Sequence, residues 1–220
     1  MKIKLTLIIV FLFSLISFSQ DSLQSFLSLS NTGVSQFLQQ HPDYDGRGAI
    51  IIVMDTGIDM GVDGLTRTST GEVKVIDVQD FTGEGDVELY PAEIEEDDDK
   101  AFFINEEMNY KVAGADKLTY VAEDQKYYIG AFKEAALINS TSGAADLNGN
   151  GSITDEYMIV CFETRIEDGL LWIAYLDKNN NGDISDEFPL HNYKDYKESF
   201  NIETSDGLPP LTMGLNIFPD

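Results

Sequence analysis

"AIIIVMDTGIDMG", residues 49–61, sets a run of aliphatic side chains directly against an aspartate. The run is β-branched and bounded by glycines at 48 and 57, the pattern of a strand buried on both faces. Strands of that kind belong mainly to parallel sheets covered on both sides. Asp55 would then stand at the strand's C-terminal edge, where open α/β folds gather their reacting groups. The fold expected from this stretch is α/β.

Three chemistries begin with such an aspartate. An aspartic peptidase needs two carboxylates sharing one proton, the second from another Asp-Thr/Ser-Gly or from a second subunit, and no second such tripeptide occurs in the chain. An aspartyl phosphotransferase usually carries a second acid two positions on, where this chain has Gly57. The aspartate of a serine-peptidase triad stands at a strand's C-terminal edge, where its carboxylate accepts a histidine N–H, fixing the tautomer and stabilising the imidazolium. On the tripeptide alone, a plain structural turn stands beside that last reading.

The flanks add a resemblance. "SQFLQQHPDYDGRGAIIIVMDTGIDMGVDGL" contains Pro42, Tyr44, Asp45, Gly46, Arg47 and Gly48, then Asp55, Thr56, Gly57, Ile58, Asp59, Gly61 and Gly64. It resembles the opening of the catalytic domain in the tripeptidyl peptidase II family of subtilisin-like serine peptidases. "GEVKVIDVQDFTGEGDV" and "LLWIAYLDKNNNGDISDEFPLHNYKDY" are similar to later segments of that family. The resemblance implies that Asp55 is the triad aspartate and that the substrate is a peptide or protein. It also implies a partial subtilisin-like parallel sheet with a β-rich, largely antiparallel insertion.

The other triad members have no match. His41 precedes Asp55, and His191 lies in "PLHNYKD", a segment that resembles a non-catalytic part of the family. "TSTG" at 68–71 and "STSG" at 140–143 contain serines without the nucleophile's surroundings. The chain therefore reads as the N-terminal part of a longer peptidase, expected to be inactive alone. The alternative reading is a non-catalytic, secreted calcium-binding or adhesion module on a peptidase-like scaffold.

The N-terminus bears on location. Lys2 and Lys4 precede the apolar run Leu5–Phe18, and Ser17 and Ser19 stand at −3 and −1 of a cleavage site. This is the layout of a secretory signal peptide over 1–19, and the run falls short of the roughly 20 residues a membrane span needs. Export to the periplasm or exterior follows, with no stable membrane anchor after cleavage. Cys161 is the sole cysteine, so no intrachain disulfide can form. The 39 acidic against 14 basic residues, a formal charge of −25, exclude nucleic-acid binding, which needs a basic footprint. An oligomer is compatible with this composition.

After the signal, the peptidase-like start is assigned to 20–95 and the β-rich insertion to 96–220. Leu23, Phe26 and Leu27, then Val34, Phe37 and Leu38, suit two helical turns split by Asn31-Thr32-Gly33. "EVKVIDVQDFTG" reads as a strand and "EIEEDDDK" as a solvated acidic loop. "KLTYVAE", "KYYIGAFKE", "EYMIVCFET" and "LLWIAYLD" read as strands, the last two as a hairpin.

An internal repeat lies within the insertion. "DLNGNGSITDE" and "DKNNNGDISDE" share D-x-N-x-N-G-x-I-x-D-E and begin at 146 and 177. The pattern opens like an EF-hand loop, with oxygen ligands at positions 1, 3 and 5, Gly at 6 and a carbonyl at 7. The candidate calcium ligands are Asp146, Asn148, Asn150 and Ser152, then Asp177, Asn179, Asn181 and Asp183. Tyr157 and Phe188 occupy position 12, where a bidentate Glu belongs, so a weak, millimolar-range site is expected.

Overall fold

The computed structural model describes residues 29–55, 57–58, 60–62, 64–137, 146–167, 169–205 and 210–219. The signal-peptide segment and the first expected helical turn lie outside these residues. The chain divides into Met1–Met54 and Asp55–Asp220. Among the described residues no helix is long and apolar enough to cross a membrane.

In the first unit, the expected second turn is helix α1, Val34–Gln40. Gly33 starts it in the left-handed region (φ 77°), which glycine adopts without the Cβ penalty. Phe37 and Tyr44 both lie against His41, whose ring stacks on Tyr44 at 5.3 Å between centroids. Residues 49–54 depart from expectation. They form no strand among the described residues, and Ile51, Ile52 and Met54 are 83%, 84% and 94% exposed. The apolar pattern marks a segment suited to burial, and a pattern by itself supplies no pairing partner.

The second unit is built on a seven-stranded sheet in the order β3-β2-β1-β4-β5-β6-β7, with every pairing antiparallel. Its strands are β1 (Tyr90–Asp97), β2 (Lys100–Asn105), β3 (Tyr110–Ala113), β4 (Tyr127–Lys133), β5 (Glu156–Ile166), β6 (Gly169–Leu176) and β7 (Leu190–His191). A four-residue helix, α2 (Tyr193–Tyr196), follows, and β8 (Phe200–Ile202) pairs with β9 (Leu211–Met213). The described structure is thus mostly antiparallel sheet with few helices.

The "EIEED" part of the acidic stretch is strand rather than loop, with Asp98 in the left-handed region turning β1 into β2. β1 also spans the 95/96 division. The expected β5–β6 hairpin is present, with Ile166 paired to Gly169. "KLTYVAE" forms no strand, and "EVKVIDVQDFTG" contributes only an isolated bridge from Val73 to Arg67.

β5 and β6 are near-continuous apolar runs although their sheet is antiparallel. Alternation along them explains why. Val160, Phe162, Ile173 and Tyr175 enter a core with Phe103, Val112 and Ile129. Tyr157, Ile159, Cys161, Ala174 and Leu176 enter a second core with Leu147, Ile202 and Ile217 on the other face. A sheet covered on both faces needs apolar residues at every position, whatever its strand direction.

The loop after β6 closes the edge at β3. Ala113 N–H donates to Gly182 O and Ile184 N–H donates to Ala113 O, both at 2.9 Å, and Ile184 fills the first core. Gly114 is required there: a Cβ would stand 2.8 Å from Ser185 N, and its φ is 107°.

Candidate functional site

Asp55 is exposed at the start of the second unit, followed by exposed Gly57 and Ile58. Met60 then turns inward to 6% exposure. It lies with Leu65, Val73, Val75 and Tyr193 around a cavity of about 130 Å³. A compact turn follows, held by Lys74 Nζ donating to Gly64 O at 2.7 Å and Arg67 donating to Gly71 O at 2.8 Å. Ser69 is exposed at its tip, while "STSG" lies outside the described residues.

Beyond the turn, Asp80 accepts from the Thr82 hydroxyl and backbone N–H, both at 2.7 Å, and from Gly85 N–H at 2.8 Å. These donors stabilise the anion and hold its pKa down to about 2, the Thr82 hydroxyl contributing most. His191 contacts Glu198 through Nδ1 at 3.2 Å and stacks on Tyr196 at 4.5 Å between centroids.

The two acidic loops share one hydrogen-bonded frame. In the first, Asp146 accepts from Asn150 and Gly151 N–H at 3.1 and 2.9 Å. In the second, Asp177 accepts from Asn181 and Gly182 N–H at 3.0 and 2.8 Å. The side-chain amides of Asn148 and Asn150 both donate to Asp155, at 2.8 and 2.6 Å. Those of Asn179 and Asn181 both donate to Asp186, each at 3.1 Å. Ser152 engages Thr154 across their hydroxyls. Asp183 turns its carboxylate to Ser185 N–H and Lys100 Nζ, at 3.0 and 3.2 Å, so only its backbone belongs to the loop frame.

The structure adds residues that the sequence reading did not name. Asp155 and Asp186, at position 10, gather the asparagines, and the repeat pattern already contained them. Glu134, fully buried, accepts Leu147 N–H at 2.5 Å and the Tyr157 hydroxyl at 3.2 Å. In the second loop Glu187 takes the matching place, accepting Lys178 N–H at 2.9 Å. No local signal marks Glu134, because it comes from a separate element.

Burial pushes the Asp177 carboxyl upward against the two backbone donors that favour its anion. Asp155 is held below the usual range, first by the Asn148 amide. Among the described residues, no group of three or more His, Cys, Asp or Glu side chains is placed to hold a metal ion. The oxygen supply in each loop is two carboxylates and two amides, a hard donor set that suits calcium in kind. In the frame as folded, the amide nitrogens face the position-10 aspartate.

The chain is similar over local stretches to subtilisin-like serine peptidases. The particular likeness is to tripeptidyl-peptidase 2. The protein of that name from Oryza sativa subsp. japonica is 46% identical over 77 residues, 35% of this chain and 6% of the relative. That from Caenorhabditis elegans is 45% identical over 64 residues, 28% of this chain and 5% of the relative. Pyrolysin of Pyrococcus furiosus is 28% identical over 178 residues, 72% of this chain and 12% of that protein. The chain thus spans a small fraction of the curated relatives it matches. No family model and no solved structure matches it.

Proposed function

We propose that this chain is the N-terminal part of an exported subtilisin-like serine peptidase in which Asp55 is the triad aspartate. The reading rests on the local likeness to tripeptidyl-peptidase 2 and pyrolysin, joined to one observation. Asp55 follows an apolar run that stays exposed from Ile50 to Met54. Burying each aliphatic side chain of such a run is worth roughly 1.5–3 kcal/mol, so the segment is built to be covered. In this reading it becomes a parallel strand once the rest of the peptidase domain packs on it. The antiparallel β1–β7 sheet is then the insertion between the aspartate and the remaining triad members.

The chemistry assigned to Asp55 is modest and specific. Its carboxylate accepts the Nδ1–H of a histidine supplied by another part of the peptidase, fixing the tautomer and stabilising the imidazolium. The histidine deprotonates the serine, which attacks the peptide carbonyl. The test is hydrolysis of peptide amides by the full-length product of the gene and by residues 20–220 alone. Activity in the first, lost on Asp55→Asn, supports the reading. Activity in the second overturns it.

A calcium role is the second reading, favoured by the matched frames of the two loops. The ligands would be Asp146, Asn148, Asn150 and Asp155 in one, and Asp177, Asn179, Asn181 and Asp186 in the other. Carbonyls of Ser152 and Asp183 would complete them. Bound calcium would stiffen the loops, with the asparagine amides reversed to present oxygen. Calorimetry with millimolar calcium tests it, and absence of binding heat and of any thermal shift would remove it.

A further inference from the structure

The segment leaving Asp55 is held by residues far along the chain. Tyr193, 2% exposed, donates its hydroxyl to Val75 O at 2.6 Å. Asn216 donates its side-chain amide to Val78 O at 2.8 Å and accepts Lys194 N–H at 3.0 Å. Asn192 accepts Ile217 N–H at 2.6 Å, and Tyr193 N–H donates to Leu215 O at 2.6 Å. Gly214 lies against the Tyr193 ring, where a Cβ would come to 3.1 Å of Cγ. Ile217 and Ile202 anchor this assembly in the second core.

Residues 75–79 form no strand, so these two side chains give Val75 and Val78 the carbonyl partners that a neighbouring strand would otherwise supply. The Tyr193 ring also walls the cavity that receives Met60. Asp55 stands five residues before Met60, a reach of at most about 18 Å when fully extended. The hold at Met60 therefore limits where the aspartate can go.

We infer that Tyr193 and Asn216 are positioning residues for Asp55, fixing the segment that carries it to the body of the sheet. Its catalytic consequence rests on the peptidase reading above. A misplacement of about 1 Å in a reacting geometry can cost 10²-fold in rate, so a triad aspartate followed by glycine-rich chain needs such support.

The test compares wild type with Tyr193→Phe, which deletes the hydroxyl bond to Val75 at little volume cost, and Asn216→Ala, which deletes both side-chain bonds of that residue. Amide exchange in the 220-residue chain should rise on the order of tenfold at Leu65, Thr68 and Lys74, and order parameters at 57–61 should fall. Exchange in β5 and β6 should stay unchanged. Unchanged exchange at 65–74, an equal rise throughout the sheet, or unaltered order at 57–61 would each overturn the inference. In the full-length peptidase, both variants should lower kcat on the order of tenfold at unchanged KM. Raised KM at unchanged kcat overturns the catalytic consequence. A full-length chain without any activity removes the peptidase reading but leaves the exchange result to judge the inference.

Discussion

Glu134 and Leu147 meet in the interior: the buried carboxylate accepts the Leu147 backbone N–H at 2.5 Å, and Leu147 is itself fully buried. The pair ties the first acidic loop to the end of β4. Glu134→Gln keeps the shape but turns an amide donor toward one of the N–H groups it now serves, at Leu147 or Asp155. An unmatched buried polar group costs about 1–3 kcal/mol, and urea unfolding should show that loss with an unchanged m-value.

Gly114 makes the closest backbone approach at the sheet edge. Gly114→Ala puts a methyl group against Ser185 N and forces alanine into a positive φ. A destabilisation of about 1–3 kcal/mol is expected. Amide exchange should accelerate first at Ala113 and Ile184, whose mutual bonds close the edge.

Under the proposed peptidase reading, Ile52 distinguishes the isolated chain from a full-length peptidase. In the isolated chain its side chain is exposed, so Ile52→Glu should leave the unfolding free energy within about 0.5 kcal/mol of wild type. In the full-length protein the same change should abolish soluble, active enzyme, because it buries an unpaired charge. Expression and activity of the two forms, side by side, check this.

If Asp55 is the triad aspartate, as proposed, Asp55→Asn should lower kcat of a full-length peptidase on the order of 10⁴-fold while sparing its fold, since loss of the carboxylate leaves the wrong histidine tautomer. Steady-state kinetics and a thermal scan on one preparation measure both arms.

Asp80 carries the clearest pH signature. Its folded pKa is depressed to about 2 by Thr82 and Gly85, below the ordinary value near 3.9. The sign is fixed by linkage: its contribution to stability is present above pH ~4 and fades as pH falls toward about 2. Thr82→Val removes the hydroxyl donor, and an NMR titration should show the Asp80 midpoint moving upward.

Much of this was legible in local chemistry. β4, β5 and β6 are apolar runs bounded by polar turns, and their existence follows from composition and length alone. The repeat at 146 and 177 was visible as a pattern, and its shared frame needs only side chains within each loop. Strand direction was legible at the β5–β6 hairpin, from its short connection, but not at 49–54, because β5 and 49–54 have the same apolar texture and texture records burial rather than pairing. The acidic strand β1 hid for the converse reason: its side chains from Glu93 to Asp97 are exposed, which permits charges, so composition mimics a loop.

By itself, the sequence determined the short-range matters: the β-rich second half, the paired loops, and the aspartate at the end of an apolar run. Only the tertiary structure decided the order of the seven strands, the closure of loop 177–187 onto β3, the burial of Glu134 and the hold of Tyr193 and Asn216 on Val75 and Val78. The hold of Tyr193 and Asn216 depends on groups more than a hundred positions apart, and the others on elements beyond the local segment, coming within hydrogen-bond reach. A hydrogen bond leaves no periodicity in the chain, so such meetings exist only once the sheet has brought its ends together.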